Sequence, residues 1–132
     1  MYNYIKRSSD YKLYISKGNE MIVKDMPFQT FFNKLLIKEL TNLSSREKSI
    51  KKALRFKSKV PIYINRETMF MCLKSYRLNN SFYINYFSIT SHIYKNNFVI
   101  VNFQNKHSMK LVEKNIFQNQ MEKCLMILDY LN

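Results

Sequence analysis

The sequence predicts an α+β fold, in which an antiparallel sheet packs against two or three helices within one compact domain. Three observations predict this class. The chain has 132 residues, 46% hydrophobic and 15% aromatic, so it can bury one core. Short strand-like segments alternate with segments whose apolar residues recur at helical spacing. Internal repeats and Pro/Gly-rich linkers are absent, so residues 1–132 are expected to form a single domain.

An N-terminal hairpin and an amphipathic helix are the first predicted elements. Residues 11–16 have strand composition, the only glycine, Gly18, supplies a turn, and residues 21–23 return as a strand. Asp25 is placed to cap a helix over residues 27–40, with a proline in its first turn. The apolar residues of that helix, spaced by three to four, are predicted to face the core: Phe28, Phe31, Phe32, Leu35, Leu36 and Leu40.

A second, strongly basic helix is predicted over residues 45–55, and an ordered loop over part of this stretch is the alternative. Ser44 to Glu47 fits a capping box, with Leu43 as a hydrophobic staple. Residues 46–59 contain only one acid, Glu47. The same stretch contains seven basic side chains, Arg46, Lys48, Lys51, Lys52, Arg55, Lys57 and Lys59.

Residues 60–112 are predicted to supply the rest of the sheet. Asn96 and Asn97 are expected to form a two-residue hairpin turn, because Asn tolerates positive φ. One form of such a sheet is a partly open barrel of the pleckstrin-homology type. The expected strands are 60–64, 68–73, 82–84, 87–89, a stretch ending at Tyr94, 98–103 and 108–112.

A C-terminal amphipathic helix, beginning at about Asn115, is predicted to close the core. Its apolar residues recur at a spacing of three to four, as they do in the first helix. The predicted buried stripe consists of Phe117, Met121, Cys124, Leu125, Leu128 and Leu131.

Side chains that catalyse reactions or bind metals are sparse and scattered. A single glycine excludes Gly-rich phosphate loops and dinucleotide fingerprints. No two of the nine acids are spaced for acid–base chemistry, and His92 with His107 alone would not form a metal site. Cys72 and Cys124 lie in apolar runs and are expected to be buried thiols. We therefore expect no enzyme, no metal and no cofactor.

The sequence also predicts a cytoplasmic protein without a membrane span. No stretch approaches the ~18 consecutive apolar residues that a span needs. The N-terminal residues 1–7 are not followed by the apolar run of a secretory signal. The reducing cytoplasm is therefore the expected compartment.

The charge of the chain points to a polyanionic partner. Lys and Arg number 22 against 9 acids, which leaves a formal net charge of +13. Nucleic acid is the commonest partner of such a field, and an acidic membrane surface is the alternative. The basic stretch at 46–59 has a simpler interpretation as a solvated helix face in a chain from an AT-rich genome. Solvated faces usually mix both signs, so a phosphate-binding surface is preferred.

Four short motifs together resemble one known family. Residues 59–62, Lys-Val-Pro-Ile, stand where the family has Lys-Pro-Pro-Ile, and 83–85, Tyr-Ile-Asn, where it has Trp-Ile-Asn. Residues 103–109 resemble its strand–turn–strand, and 117–120, Phe-Gln-Asn-Gln, its Phe-x-Asn-Gln. These motifs occur in the family's order and spacing, and a basic stretch precedes them as it does in the family. Residues from about 27 to 128 therefore resemble the bacterial competence transcription factors of the ComK type.

The resemblance implies a transcriptional activator of competence-type genes that binds AT-rich double-stranded DNA, largely through the minor groove. The seven basic residues of 46–59 are then the expected DNA contacts. The resemblance also implies a homodimer or higher oligomer, and Tyr83, Tyr86 and Phe87 are expected to exceed what the core can hold.

The chain departs from the family at its end and in one turn. Family members continue with a tail that an adaptor uses to present them for proteolysis, and the chain stops at Asn132, so that route is not expected. Lys106 replaces the glycine of an Asn-Gly turn, at an expected positive φ. These features indicate a short or divergent member.

Two other functions remain as alternatives. Strands followed by one C-terminal helix are also the element order of pleckstrin-homology-like modules, which bind a protein or an anionic lipid headgroup. The third hypothesis is a decoy that pairs with a longer paralogue. The hypotheses differ in whether the 46–59 charges form one continuous positive face.

Overall fold

The computed structural model describes all 132 residues and contains nine strands, three α-helices and two short 3-10 helices at 37–39 and 86–88. The strands are β1 (Tyr2–Arg7), β2 (Leu13–Lys17), β3 (Glu20–Lys24), β4 (Ile62–Asn65), β5 (Thr68–Lys74), β6 (Phe82–Asn85), β7 (Ile89–Tyr94), β8 (Val99–Phe103) and β9 (Ser108–Leu111). The helices are α1 (Phe28–Leu36), α2 (Leu43–Leu54) and α3 (Lys114–Leu131).

Two open antiparallel sheets form the framework, which confirms the predicted α+β class. The larger sheet has the order β3-β2-β1-β6-β5-β4, and the smaller one has the order β7-β8-β9. β1 pairs with β2 on one side and with β6 on the other, so it joins the N-terminal hairpin to the rest of the sheet. Neither sheet closes into a barrel.

The larger sheet has a hydrophobic core on each of its faces, and β5 contributes to both. Phe70 and Cys72 point to the core that α1 covers, while Met69 and Met71 point to the core that α3 and the smaller sheet cover. Six of the seven residues of β5 are buried, as expected for a strand with both faces covered. α1 and α3 therefore lie on opposite sides of the sheet.

The N-terminal hairpin is confirmed, and one strand before it was not predicted. Gly18 has φ 58°, which explains why the turn between β2 and β3 uses the only glycine. β1 was missed because its two buried residues, Asn3 and Ile5, make a weak apolar alternation. Asn3 is tolerated there because its amide donates to the Ser16 hydroxyl and to the Gly18 carbonyl.

α1 confirms the predicted first helix but differs at both ends. Pro27 occupies the N-cap position without a side-chain hydrogen bond, so the predicted cap by Asp25 is wrong. The helix ends at Leu36 and tightens into the 3-10 turn, which breaks the 3.6-residue period. Leu40 therefore leaves the core face, and with φ 61° and 94% exposure its predicted burial is wrong.

α2 is confirmed as a helix, but its N-cap, Asn42, lies two residues before Ser44, where the capping box predicts it. The Asn42 side chain accepts a hydrogen bond from the Ser45 N–H at 2.9 Å. Leu43 is a buried residue of the first turn, and its N–H donates to Asn33 Oδ1 at 2.7 Å. Asn42 is a strong N-cap residue, so it takes the place expected for serine.

The region from 60 to 112 contains the expected strands with one exception. Residues 86–88 form a 3-10 helix instead of a strand, because the Asn85 side chain accepts from Phe87 N and turns the chain. The hairpin at Asn96-Asn97 is confirmed by a hydrogen bond from Lys95 N to Phe98 O at 2.8 Å, although neither asparagine has positive φ. Lys106 has φ 70°, as expected.

α3 confirms the predicted C-terminal helix, but its buried face is turned relative to the expected stripe. Phe117 and Cys124 are buried as expected. Leu125 and Leu131, both predicted to be buried, are 50% and 52% exposed, and Ile127 lies in the core instead. Gln120 is not in the predicted stripe because it is polar. It is nevertheless only 1% exposed and lies at the centre of the buried face.

Candidate nucleic-acid interface

The seven predicted contact residues lie in three different surroundings. Lys48, Lys51 and Lys52 are exposed on the outer side of α2 and are neighbours at helical spacings of three and four. Arg55 follows at the C-cap of the helix with φ 61° and is also exposed. The structure therefore brings four of the seven charges together at one side and end of α2.

Arg46 lies on a different flank of α2. Its guanidinium carbon is 5.5 Å from the centre of the Tyr63 ring on β4, and the side chain is half-buried. It borders a largely apolar groove of about 330 Å³ between α2 and the end of α3, which Ile50, Leu54 and Ile127 help to line. Arg46 is thus separated from the exposed lysines by the helix itself.

Lys57 and Lys59 lie in the loop between α2 and β4, which is fastened to α3. The Lys123 ammonium donates to the Ser58 carbonyl at 2.7 Å, and the Gln120 amide donates to the Lys59 carbonyl at 2.7 Å. Burial lowers the pKa of Lys123. The side chains of Lys57 and Lys59 are exposed on this fixed loop, and Lys59 borders a cleft beside α3.

A polar cleft of about 320 Å³ borders the exposed lysines of α2, and we call it the α2 cleft. Its walls come from α1, α2 and the loop that follows β5. Arg77 of that loop adds a third cation, and Glu47 is the one carboxylate at the surface of the cleft. The residues of the cleft are Gln29, Asn33, Leu43, Ser44, Glu47, Lys48, Lys51, Tyr76 and Arg77.

The walls of the α2 cleft are joined by hydrogen bonds. The Tyr76 hydroxyl donates to Glu47 Oε1 at 2.7 Å, and the Tyr76 N–H donates to the hydroxyl oxygen of Tyr83 at 3.0 Å. Burial, followed by the bond to Glu47, raises the pKa of Tyr76 to about 12. The Arg77 guanidinium carbon lies 4.4 Å from the centre of the Tyr76 ring. The cleft is therefore held in shape before any ligand binds.

Arg77 is not among the contact residues that the sequence predicts. It lies 22 positions after Arg55, in a polar loop, and only the pairing of β5 with β6 brings that loop beside α2. A cue was present in Tyr76-Arg77, since an aromatic residue beside an arginine is common in surfaces that bind nucleic acids.

The cysteines and histidines lie apart from this surface. Cys72 and Cys124 are free and buried, as expected, and burial raises the pKa of both thiols. His92 packs 5.5 Å from the ring of Phe117, while His107 lies in the turn between β8 and β9. No three His, Cys, Asp or Glu side chains are grouped as metal ligands. None of the three α-helices combines the length and the apolar character that a membrane span requires.

The comparisons with known proteins identify one family. No curated protein and no solved structure matches the chain significantly. Residues 3–131 match the family described as ComK protein, so the match covers β1 to β3 as well as the segment from 27 to 128 that the motifs indicate. This range is nearly the whole chain, and it holds both faces of the sheet, the basic side of α2 and the α2 cleft. The chain therefore belongs to the ComK family.

Proposed function

We propose that the protein is a DNA-binding activator of competence-type genes. Membership of the ComK family, a family of competence transcription factors and not of enzymes, is the observation that carries this proposal. The net charge of +13 and the exposed basic side of α2 support it, because DNA is a dense array of phosphates.

The proposed phosphate contacts centre on α2. Lys48, Lys51 and Lys52 are solvent-exposed at adjacent helical positions, so they can approach successive phosphates. Arg55 extends this face at the end of the helix. Arg46, Lys57 and Lys59 remain proposed contacts with a smaller role, since Arg46 packs against Tyr63 and the two lysines lie in the loop after α2.

The proposed target is AT-rich duplex DNA, read through the minor groove. A narrow AT-rich minor groove has an enhanced negative potential that attracts Arg and Lys. The α2 cleft supports this proposal because it supplies one arginine and two lysines from two adjacent elements.

We also propose a cytoplasmic homodimer or higher oligomer, with a longer paralogue as a further partner. The expectation that Tyr83 exceeds the core is wrong, because it is 1% exposed. Support for an oligomer comes instead from α3, where Leu125 and Met126 are each about half exposed. Light scattering at micromolar concentration tests this part of the proposal, and a monomer would contradict it.

A mobility-shift titration with AT-rich and GC-rich duplexes tests DNA binding. The triple variant Lys48→Ala, Lys51→Ala, Lys52→Ala is expected to bind both duplexes at least tenfold more weakly, because three phosphate contacts are lost. The matched control removes three exposed lysines of the N-terminal strands and turns, Lys6, Lys12 and Lys24, and should bind nearly as the parent does. Binding to anionic vesicles in place of duplexes would favour a lipid-binding module.

A further inference from the structure

We propose that Arg77 is the side chain that enters the narrow minor groove, while Lys48 and Lys51 hold the phosphates beside it. This inference rests on the proposed function and deepens it by assigning the residue that distinguishes AT-rich from GC-rich DNA. Arg77 lies outside the basic stretch at 46–59, so the charge pattern of the sequence does not single it out.

Arg77 shares one cleft with two lysines, and its side chain is open to solvent. Arg77 lines the α2 cleft from the loop after β5, and Lys48 and Lys51 line it from α2. All three side chains are exposed. This arrangement suits a groove reader, because cations beside an inserted arginine can contact the phosphates that border the groove and position the protein.

The surroundings of Arg77 fix its direction. Its guanidinium is stacked over Tyr76, whose hydroxyl is bonded to Glu47 and whose N–H is bonded to Tyr83. Tyr83 is wholly buried and its ring centre is 5.1 Å from that of Phe32. The platform under Arg77 is thus connected to the core, so less side-chain entropy is lost when DNA binds.

Glu47 does not cancel the positive charge of the cleft. Its carboxylate accepts from the Tyr76 hydroxyl, and three cations share the same cleft. Its contribution is to hold the ring on which the guanidinium stacks.

The other two arginines of the basic region are less suited to this role. Arg46 is half-buried against Tyr63, beside an apolar groove. Arg55 lies at the end of α2, beyond the residues that line the cleft. A lysine would not replace Arg77, because an ammonium is more strongly hydrated than a guanidinium and loses more on entering a narrow groove.

The test compares three duplexes that separate the two grooves. One is AT-rich, one is GC-rich, and one has inosine–cytosine pairs, which lack the minor-groove amino group of guanine and keep the major-groove pattern of G·C. The parent protein is expected to bind the AT-rich and inosine duplexes alike and the GC-rich duplex more weakly. Preference for the AT-rich duplex over the inosine duplex would place the reading in the major groove and overturn the inference.

The variants are Arg77→Ala and Arg77→Lys, with Arg66→Ala as a charge-matched control in the exposed turn between β4 and β5. Arg77→Ala is expected to lose roughly tenfold affinity for the AT-rich duplex and most of the preference over GC. Arg77→Lys should retain the salt dependence and still lose the preference. Arg66→Ala should keep both.

The results separate this inference from the proposed function. If the parent binds no duplex, the proposed function and this inference both fail. If the parent binds duplexes and Arg77→Ala weakens all of them equally, or weakens none, Arg77 does not read the groove and the inference alone is overturned. Matching far-UV circular dichroism of parent and variants establishes that each protein tested is folded.

Discussion

The side-chain amide of Gln120, buried in α3, accepts a hydrogen bond from the backbone N–H of Cys72 at 2.7 Å. β4 pairs with β5 only from Ile62, which lies opposite Phe70. The N–H of Cys72 is therefore beyond the end of that ladder, and Gln120 supplies the acceptor that a longer strand would have provided. A polar residue at the centre of the α3 interface thus completes the central strand.

Replacing Gln120 by Met is expected to lower the free energy of unfolding by about 1–3 kcal/mol, because the buried N–H of Cys72 loses its acceptor. The carbonyl of Lys59 also loses one donor, but it keeps the ammonium of Lys123 at 3.4 Å. Urea denaturation measures the change. Gln118→Met, on the exposed side of the same helix, should differ from the parent by less than about 0.5 kcal/mol.

Phe32 within α1 and Leu40 after its end give a prediction about core packing. Phe32→Ala removes a wholly buried ring that packs against Tyr83 and Phe70, so it should cost about 3–5 kcal/mol. Leu40→Ala should change stability by less than about 0.5 kcal/mol, because Leu40 is almost fully exposed. Thermal unfolding distinguishes the two. Equal losses from both variants would mean that Leu40 belongs to the core after all.

The turn between β8 and β9 predicts a stabilising substitution. Lys106 has φ 70°, a region that costs a side-chain-bearing residue about 1 kcal/mol relative to glycine. Lys106→Gly should therefore raise the free energy of unfolding by up to about 1 kcal/mol. Lys106→Ala removes the same charge but keeps the backbone strain, so urea denaturation should show no gain in the free energy of unfolding. An equal gain from both variants would mean that the loss of charge, and not the relief of strain, stabilises the protein.

Tyr76 gives a prediction for alkaline pH. Its pKa is raised to about 12 from 10, so folding favours the neutral phenol. That contribution to stability is complete below pH 10 and is lost as the pH rises through 12. Between these limits the parent should lose stability more steeply than Tyr76→Phe, as measured by chemical denaturation at fixed pH values. Tyr11→Phe, at an exposed position, should follow the parent, and parallel curves for Tyr76→Phe would contradict the raised pKa.

Sequence periodicity predicts those elements whose apolar residues repeat regularly, and it fails where polar groups decide the local structure. α1, α2 and α3 all occur where apolar spacing indicates a helix. The helix cap at Asn42, the 3-10 turn after Asn85 and the buried face around Gln120 depend instead on individual side-chain hydrogen bonds. Such bonds do not alter the apolar pattern, so no periodicity reveals them.

For a related reason, the sequence predicts only part of the candidate site. The lysines of α2 are close in sequence, and helical geometry alone places Lys48, Lys51 and Lys52 together. Arg46 belongs to the same run, but the crossing of α2 over β4 turns it toward Tyr63. Arg77 comes to the cleft through tertiary structure, by way of the Tyr76 to Glu47 hydrogen bond.

The salt dependence of duplex binding tests the central claim most directly. The affinity of the parent for an AT-rich duplex should fall linearly in a plot of log affinity against log salt concentration, with a slope of roughly −0.9 for each phosphate neutralised. The variant Lys51→Ala, Lys52→Ala should have a slope shallower by roughly 2 and should bind all duplexes more weakly. An unchanged slope in that folded variant, or no duplex binding by the parent at low salt, would contradict DNA recognition through α2.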